Sequence, residues 1–210
     1  SVALSAASRC DPLTEPVILI EKGRLGSGSS GRTGAVIHQG YPDRPLAGMA
    51  RDALKVYASM PQNVGRSVGY QRTGVLVVAG HEPEAGERLK RDVEMQRSSA
   101  SDVQLGDAHE MRQIVPGIEV DDEAMGSFEP GGGFVEPRRT IDTLAALART
   151  KGVSTRTGVE NPTVIIEDGR AVGVATREGE IRAPHVVLAR GPWTPTHLAA
   201  LGVELPRRVV

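Results

Sequence analysis

A short aliphatic run, Val17-Ile18-Leu19-Ile20, closes on Glu21 and gives way at once to residues 23–34, which are dense in Gly, Ser and Thr. This junction constrains the fold more than any other stretch. Apolar, mostly β-branched residues without polar alternation mark a buried strand of the kind found in parallel sheets. The glycine-rich stretch is too flexible for a regular element unless a ligand or neighbouring strands order it.

Periodicity supplies the surrounding elements. Residues 1–8 suit a closely packed helix, broken by Asp11 and Pro12. Apolar residues three and four apart over 46–60 predict a helix, and residues 73–79 a strand. Residues 83–96 form a charged amphipathic helix, and Asp107 caps a shorter one reaching Ile114. A strand over 124–128 precedes Gly131-Gly132-Gly133, and residues 139–150 read as the next helix. Residues 153–156 are strand-like. Segments 163–166, 171–176 and 181–183 are separated by Asp168-Gly169 and Glu178-Gly179, the turn chemistry of a three-stranded meander. Residues 186–189 read as one more buried strand, with a helix over 194–201 behind it.

Composition narrows the partners. A hydrophobic content of 39% suffices for a core. The 25 basic and 26 acidic residues nearly cancel, so no strong field favours nucleic acid or an anionic membrane. Cys10 is the only cysteine, which excludes an internal disulfide, and the five histidines lack zinc-ligand spacing. No metal is expected. No apolar run is long enough to cross a bilayer, so the chain reads as cytoplasmic with a small, modestly charged ligand.

An acid that ends a buried strand suits a dinucleotide-binding βαβ unit, where its carboxylate accepts bonds from ribose hydroxyls. Glu21 fits that place, and fits equally the solvated end of an ordinary strand. The usual glycine fingerprint lies roughly 20 residues before such an acid, which points to a loop just ahead of Ser1. The chain therefore reads as a fragment that begins after its fingerprint.

Four segments together resemble the D-amino-acid-oxidase-like family of FAD-dependent oxidoreductases, which includes sarcosine oxidase β and glycine oxidase. They are Val17-Ile18-Leu19-Ile20-Glu21-Lys22-Gly23 with the loop through Gly34 and Val36-Ile37-His38-Gln39-Gly40-Tyr41, then Arg72-Thr73-Gly74-Val75-Leu76-Val77-Val78-Ala79, Gly132-Gly133-Phe134-Val135-Glu136-Pro137, and Val186-Val187-Leu188-Ala189-Arg190-Gly191-Pro192-Trp193. The resemblance implies an α/β fold, with an incomplete Rossmann-like FAD-binding domain and part of a β-rich substrate domain. On this reading residues 1–65 and 131–210 belong to the FAD domain and residues 66–130 to the substrate domain, and the chain is truncated at both ends.

The same resemblance implies a site. Glu21 would hold the adenosine ribose, with Lys22 near the adenosine end or simply in solvent. Gly28, Ser29, Ser30, Gly31, Arg32 and Thr33 would let backbone N–H groups approach the pyrophosphate and ribityl chain, or form a plain surface loop. Val159 would donate backbone hydrogen bonds to the adenine, and Gly191 would close the wall beside the cofactor. Some members attach FAD through a histidine in this loop; Arg32 stands in that stretch, which implies noncovalent FAD. His38 is the candidate catalytic group, since an imidazole exchanges protons near neutral pH; a histidine bonded within the fold is the other reading. It stands where some sarcosine oxidases carry an arginine for the substrate carboxylate, which argues against N-methylglycine. Tyr41, Tyr70 and Arg72 are given no role. The implied activity is oxidation of a small amine or amino acid by hydride transfer to flavin. The alternatives are a 2-hydroxy-acid dehydrogenase and a non-catalytic fragment that does not bind FAD. The implied partners are the small substrate and the remainder of the same chain.

Overall fold

The computed structural model describes residues 2–80, 82, 84–98 and 101–205. The expected helix starts at Ser1 and Pro83 lie outside these. In chain order the elements are α1 (Val2–Ala7), β1 (Ile18–Glu21), β2 (Val36–Ile37), α2 (Arg44–Val64), β3 (Val75–Val78), α3 (Ala85–Arg97), β4 (Gln104–Asp107) and α4 (Ala108–Ile114). There follow β5 (Met125–Glu129), β6 (Gly133–Phe134), α5 (Pro137–Thr150), β7 (Ser154–Thr157), β8 (Thr163–Glu167), β9 (Arg170–Thr176), β10 (Gly179–Arg182) and α6 (Thr194–Ala199). Two compact units result: Ser1–Arg32 with Leu144–Val210, and Thr33–Thr143. Their seams differ from the boundaries after residues 65 and 130 that the resemblance implies, since residues 33–143, with α2 and α3 in contact, form a single body.

In the first unit β1 pairs with β7 in parallel, Ile18 opposite Ser154 and Glu21 opposite Thr157. The strand is half-buried along its length. Its inner side packs on a small core of Ala7, Ala148 and Val153, joined by Ala3, Leu4, Val17 and Leu19. Alanines at these points let α1 and the end of α5 come close to the sheet.

The meander forms as expected, in the order β10-β9-β8. Its first turn, Asp168-Gly169, holds both residues at positive φ (49° and 75°), the geometry of a type I′ hairpin. The second turn falls on Arg177 and Glu178, since Gly179 already pairs with Thr176; the expected Glu178-Gly179 turn is one residue late. A bulge between Ile165 and Ile166 shifts the register of β8 on β9.

The run 186–189 corrects an expectation. It forms no strand and joins no sheet among the described residues, and Val187 is 67% exposed. Apolar content favours extended backbone, yet a strand exists only where a neighbour takes its hydrogen bonds.

In the second unit β5 lies between β3 and β4, all antiparallel. Val68, Val93 and Met111 are its most deeply buried side chains. Asp107 caps α4 through a capping box: its carboxylate accepts from the Glu110 N–H at 2.9 Å, and Glu110 accepts from the Asp107 N–H at 3.0 Å. Helix α2 outruns the predicted end at Met60, carrying Pro61 into its final turn and stopping at Gly65, whose φ is +64°. A proline there disturbs only the last turn of an already formed helix. Among the described residues no helix is long and apolar enough to cross a membrane.

Candidate functional site

Glu21, Lys22, Gly28, Ser29, Ser30, Gly31, Arg32, Val159 and Gly191 all fall in the first unit. Glu21 is the last residue of β1 and is half-buried. One carboxylate oxygen, Oε1, accepts the Gly23 N–H at 2.8 Å, which curls the side chain over the start of the loop. A carboxylate has about four lone-pair positions, so capacity remains for two hydroxyl donors. Lys22 beside it is exposed.

The Val159 N–H donates to the Glu21 carbonyl at 3.2 Å, extending the β1–β7 ladder beyond β7. This corrects the expected role. With its N–H committed to the sheet, Val159 has its carbonyl to present, an acceptor suited to an exocyclic amino group.

The glycine-rich loop is folded on itself. Ser27 N–H bonds to the Arg24 carbonyl at 3.0 Å, and the 3₁₀ turn Ser29–Gly31 is closed by Gly31 N–H to Gly28 O (3.2 Å) and Arg32 N–H to Ser29 O (3.0 Å). A Cβ on Gly31 would overlap the Gly26 carbonyl oxygen, so only glycine lets the two backbone segments meet. Gly28, Ser29 and Ser30 form the open side of this turn, Gly28 half-buried and both serines exposed.

Trp193, the only tryptophan, was not among the expected site residues, yet it borders the loop. Its ring atoms Cζ3 and Cη2 lie 3.7 and 3.9 Å from where a Gly28 Cβ would stand, and the side chain is 56% exposed. Its signal in the sequence was the Gly191-Pro192-Trp193 turn, which forms a 3₁₀ helix with Gly191 at φ +53°. Gly191 itself is exposed. Behind the turn His197 Nδ1 bonds to the Trp193 carbonyl at 3.2 Å, and Arg190 contacts the other ring nitrogen of His197.

Thr33 and His38 belong to the second unit. Thr33 Oγ1 accepts the Ala35 N–H at 3.0 Å. The His38 ring stacks on Tyr41, centroids 4.9 Å apart and planes 15° from parallel. Gln39 between them is 5% exposed and is held by Glu129, itself 4% exposed. The Gln39 N–H donates to both Glu129 oxygens (2.9 and 2.7 Å), and Gln39 Nε2 donates to Oε1 at 2.9 Å.

Tyr70 and Arg72 secure the turn after β5. Tyr70 donates its hydroxyl proton to the Gly131 carbonyl at 2.5 Å, and Arg72 Nε donates to the Pro130 carbonyl at 2.8 Å. Burial pushes the Tyr70 hydroxyl above its usual range against the lowering effect of Arg72, with Glu129 and Asp102 adding to the rise. Among the described residues no group of three His, Cys, Asp or Glu side chains is arranged to hold a metal ion.

Comparison with known proteins gives the family of the chain. The family described as "DAO: FAD dependent oxidoreductase" matches residues 1–210. The 4-methylaminobutanoate oxidase (formaldehyde-forming) of Paenarthrobacter nicotinovorans is 29% identical over 204 residues, 97% of this chain and 24% of that protein. Sarcosine oxidase subunit beta of an Arthrobacter species is 26% identical, across 90% of this chain and 48% of its own length. Among solved structures, L-proline dehydrogenase from P. horikoshii superposes with a TM-score of 0.85 at 26% identity, covering 98% of this chain and 53% of that one. The chain thus spans from about a quarter to about half of these relatives, and it belongs to the DAO family of FAD-dependent oxidoreductases.

Proposed function

We propose that the whole protein oxidises a small secondary amine that carries a carboxylate, with noncovalent FAD as its electron acceptor. The carrying observation is Glu21, a half-buried carboxylate with spare acceptor capacity at the end of a parallel strand, beside a loop that only glycine allows to close. Glu21 would take the ribose hydroxyls, the open side of residues 28–30 would face the pyrophosphate, and the Val159 carbonyl would meet the adenine amino group. When bound, FAD supplies the two-electron acceptor for hydride leaving the carbon next to nitrogen. His38 would take the proton from the substrate ammonium, freeing the nitrogen lone pair that must form the new carbon–nitrogen double bond. Its stacking on Tyr41 limits the orientations of the imidazole.

The substrate class draws on the names of these three relatives: sarcosine, 4-methylaminobutanoate and L-proline are all secondary amines bearing a carboxylate. These names favour carbon–nitrogen over carbon–oxygen oxidation. The test mixes purified full-length protein anaerobically with sarcosine, L-proline, 4-methylaminobutanoate or 2-hydroxyglutarate and follows flavin absorbance. At least one secondary amine should bleach the flavin about tenfold faster than the hydroxy acid. Bleaching by 2-hydroxyglutarate alone, or protein purified without flavin that takes none up, would reject the proposal.

A further inference from the structure

We infer that Glu129 is a positioning residue that sets the backbone at His38, and the inference rests on the role proposed for that imidazole. Glu129 ends β5 and is 4% exposed, yet none of its hydrogen bonds or ion pairs among the described residues comes from a Lys, Arg or His side chain. Burying a carboxylate against neutral donors is costly, and a well-packed apolar residue commonly serves stability as well or better. Core packing alone therefore gives no reason for an acid here. Its hydrogen bonds do.

All three contacts converge on Gln39. The Gln39 N–H lies in the same planar peptide unit as the His38 carbonyl and Cα, so gripping it fixes the backbone on the C-terminal side of His38. The Gln39 carbonyl then accepts the Tyr41 N–H at 2.8 Å, closing the tight turn that brings the Tyr41 ring onto the imidazole. Glu129 thus holds the peptide plane between His38 and Gln39 and, through Nε2, the Gln39 side chain, and the carbonyl of the same residue, in the next peptide plane, anchors the stacking partner Tyr41. The donor and acceptor are 90 positions apart in the chain, so the grip ties the segment after β2 to the central strand of the β3-β5-β4 sheet.

The test compares Glu129→Ala, Glu129→Gln, Gln39→Ala and His38→Gln in the full-length flavin-loaded protein, with sarcosine, L-proline and 4-methylaminobutanoate as probes. Two readings are taken: hydrogen exchange of the Gln39 amide, and kcat against KM. Glu129→Ala should speed exchange at Gln39 and lower kcat about tenfold with KM changed less than about threefold, since misplacement acts on the reacting geometry. Glu129→Gln keeps one acceptor oxygen and should restore most of both. If Glu129→Ala does not fold, Gln39→Ala, which keeps the backbone N–H and loses the side-chain arm, should show a smaller fall in kcat at unchanged flavin content. The inference is overturned if the folded Glu129 variants leave exchange and kcat at wild-type values, if they lower only thermal stability, or if Gln39→Ala behaves as wild type where Glu129→Ala is lost. A slow His38→Gln beside a wild-type Glu129→Ala removes the positioning role alone. A His38→Gln that reduces flavin at the normal rate removes the proton-acceptor role, while the exchange reading still reports whether Glu129 grips Gln39.

Discussion

Glu21 uses one oxygen locally, on the Gly23 N–H, and the consequence is orientation: the carboxylate cannot swing freely into solvent. A ribose would meet an acceptor already in place, which limits the entropy lost on binding. Glu21→Ala in the full-length protein is expected to weaken FAD binding by about 1 to 3 kcal/mol, the range for charge-assisted hydrogen bonds. Titration of apoprotein with FAD, followed by flavin fluorescence, measures it; an unchanged Kd would take Glu21 out of the site. Glu21 was legible because a strand ended on it, and strand ends can be read from a few consecutive residues. The Glu129–Gln39 contact was not, because its partners are far apart in sequence and neither stands in a recognisable local pattern. The bond made by the Val159 N–H was not legible for a related reason: whether a backbone N–H is available depends on the neighbouring strand, here the Glu21 carbonyl.

Elements with strong local chemistry were legible. The Asp168-Gly169 turn and the Asp107 cap are set by residues within four positions of one another, and both formed; the reciprocal Glu110 bond came with the cap. The two-residue strands β2 and β6, and β4 with its sequence Gln104-Leu105-Gly106-Asp107, carry no alternating apolar signal; pairing across the sheet creates them. The run 186–189 fails in the opposite direction, apolar in composition and without a strand partner among the described residues. The glycine-rich loop is the element where composition and geometry agree best, because its closure needs glycine at a particular point. Gly31→Ala must push residue 31 away from the Gly26 carbonyl. At a backbone-strain cost of about 1–3 kcal/mol, FAD affinity should fall about fivefold or more. Far-UV circular dichroism should stay unchanged, because the loop contributes only one 3₁₀ turn. Normal affinity in this variant would mean the closed loop is not what the cofactor meets.

At the scale of the whole molecule, the proposed cofactor residues are distributed along the chain, with Glu21 and the loop near one end and Val159 and Gly191 beyond α5. Binding to them would tie distant segments of the first unit together, so the ligand should act on global stability as well as on chemistry. A ligand that binds only the folded state adds about 2.7 kcal/mol at a hundredfold excess over Kd. The thermal midpoint of the full-length apoprotein is therefore expected to rise on adding FAD, and to keep rising with the logarithm of its concentration. Each tenfold loss of affinity removes about 1.4 kcal/mol of that gain at the same FAD concentration, so Glu21→Ala and Gly31→Ala should melt early with FAD present. Without FAD, Glu21→Ala should melt close to wild type, because the removed carboxylate makes one local bond in a half-buried position. Differential scanning calorimetry at several FAD concentrations separates the two contributions. A wild-type midpoint indifferent to FAD would contradict cofactor binding at these residues, whereas a Glu21→Ala deficit that persists without FAD would assign that carboxylate to the fold rather than to the cofactor.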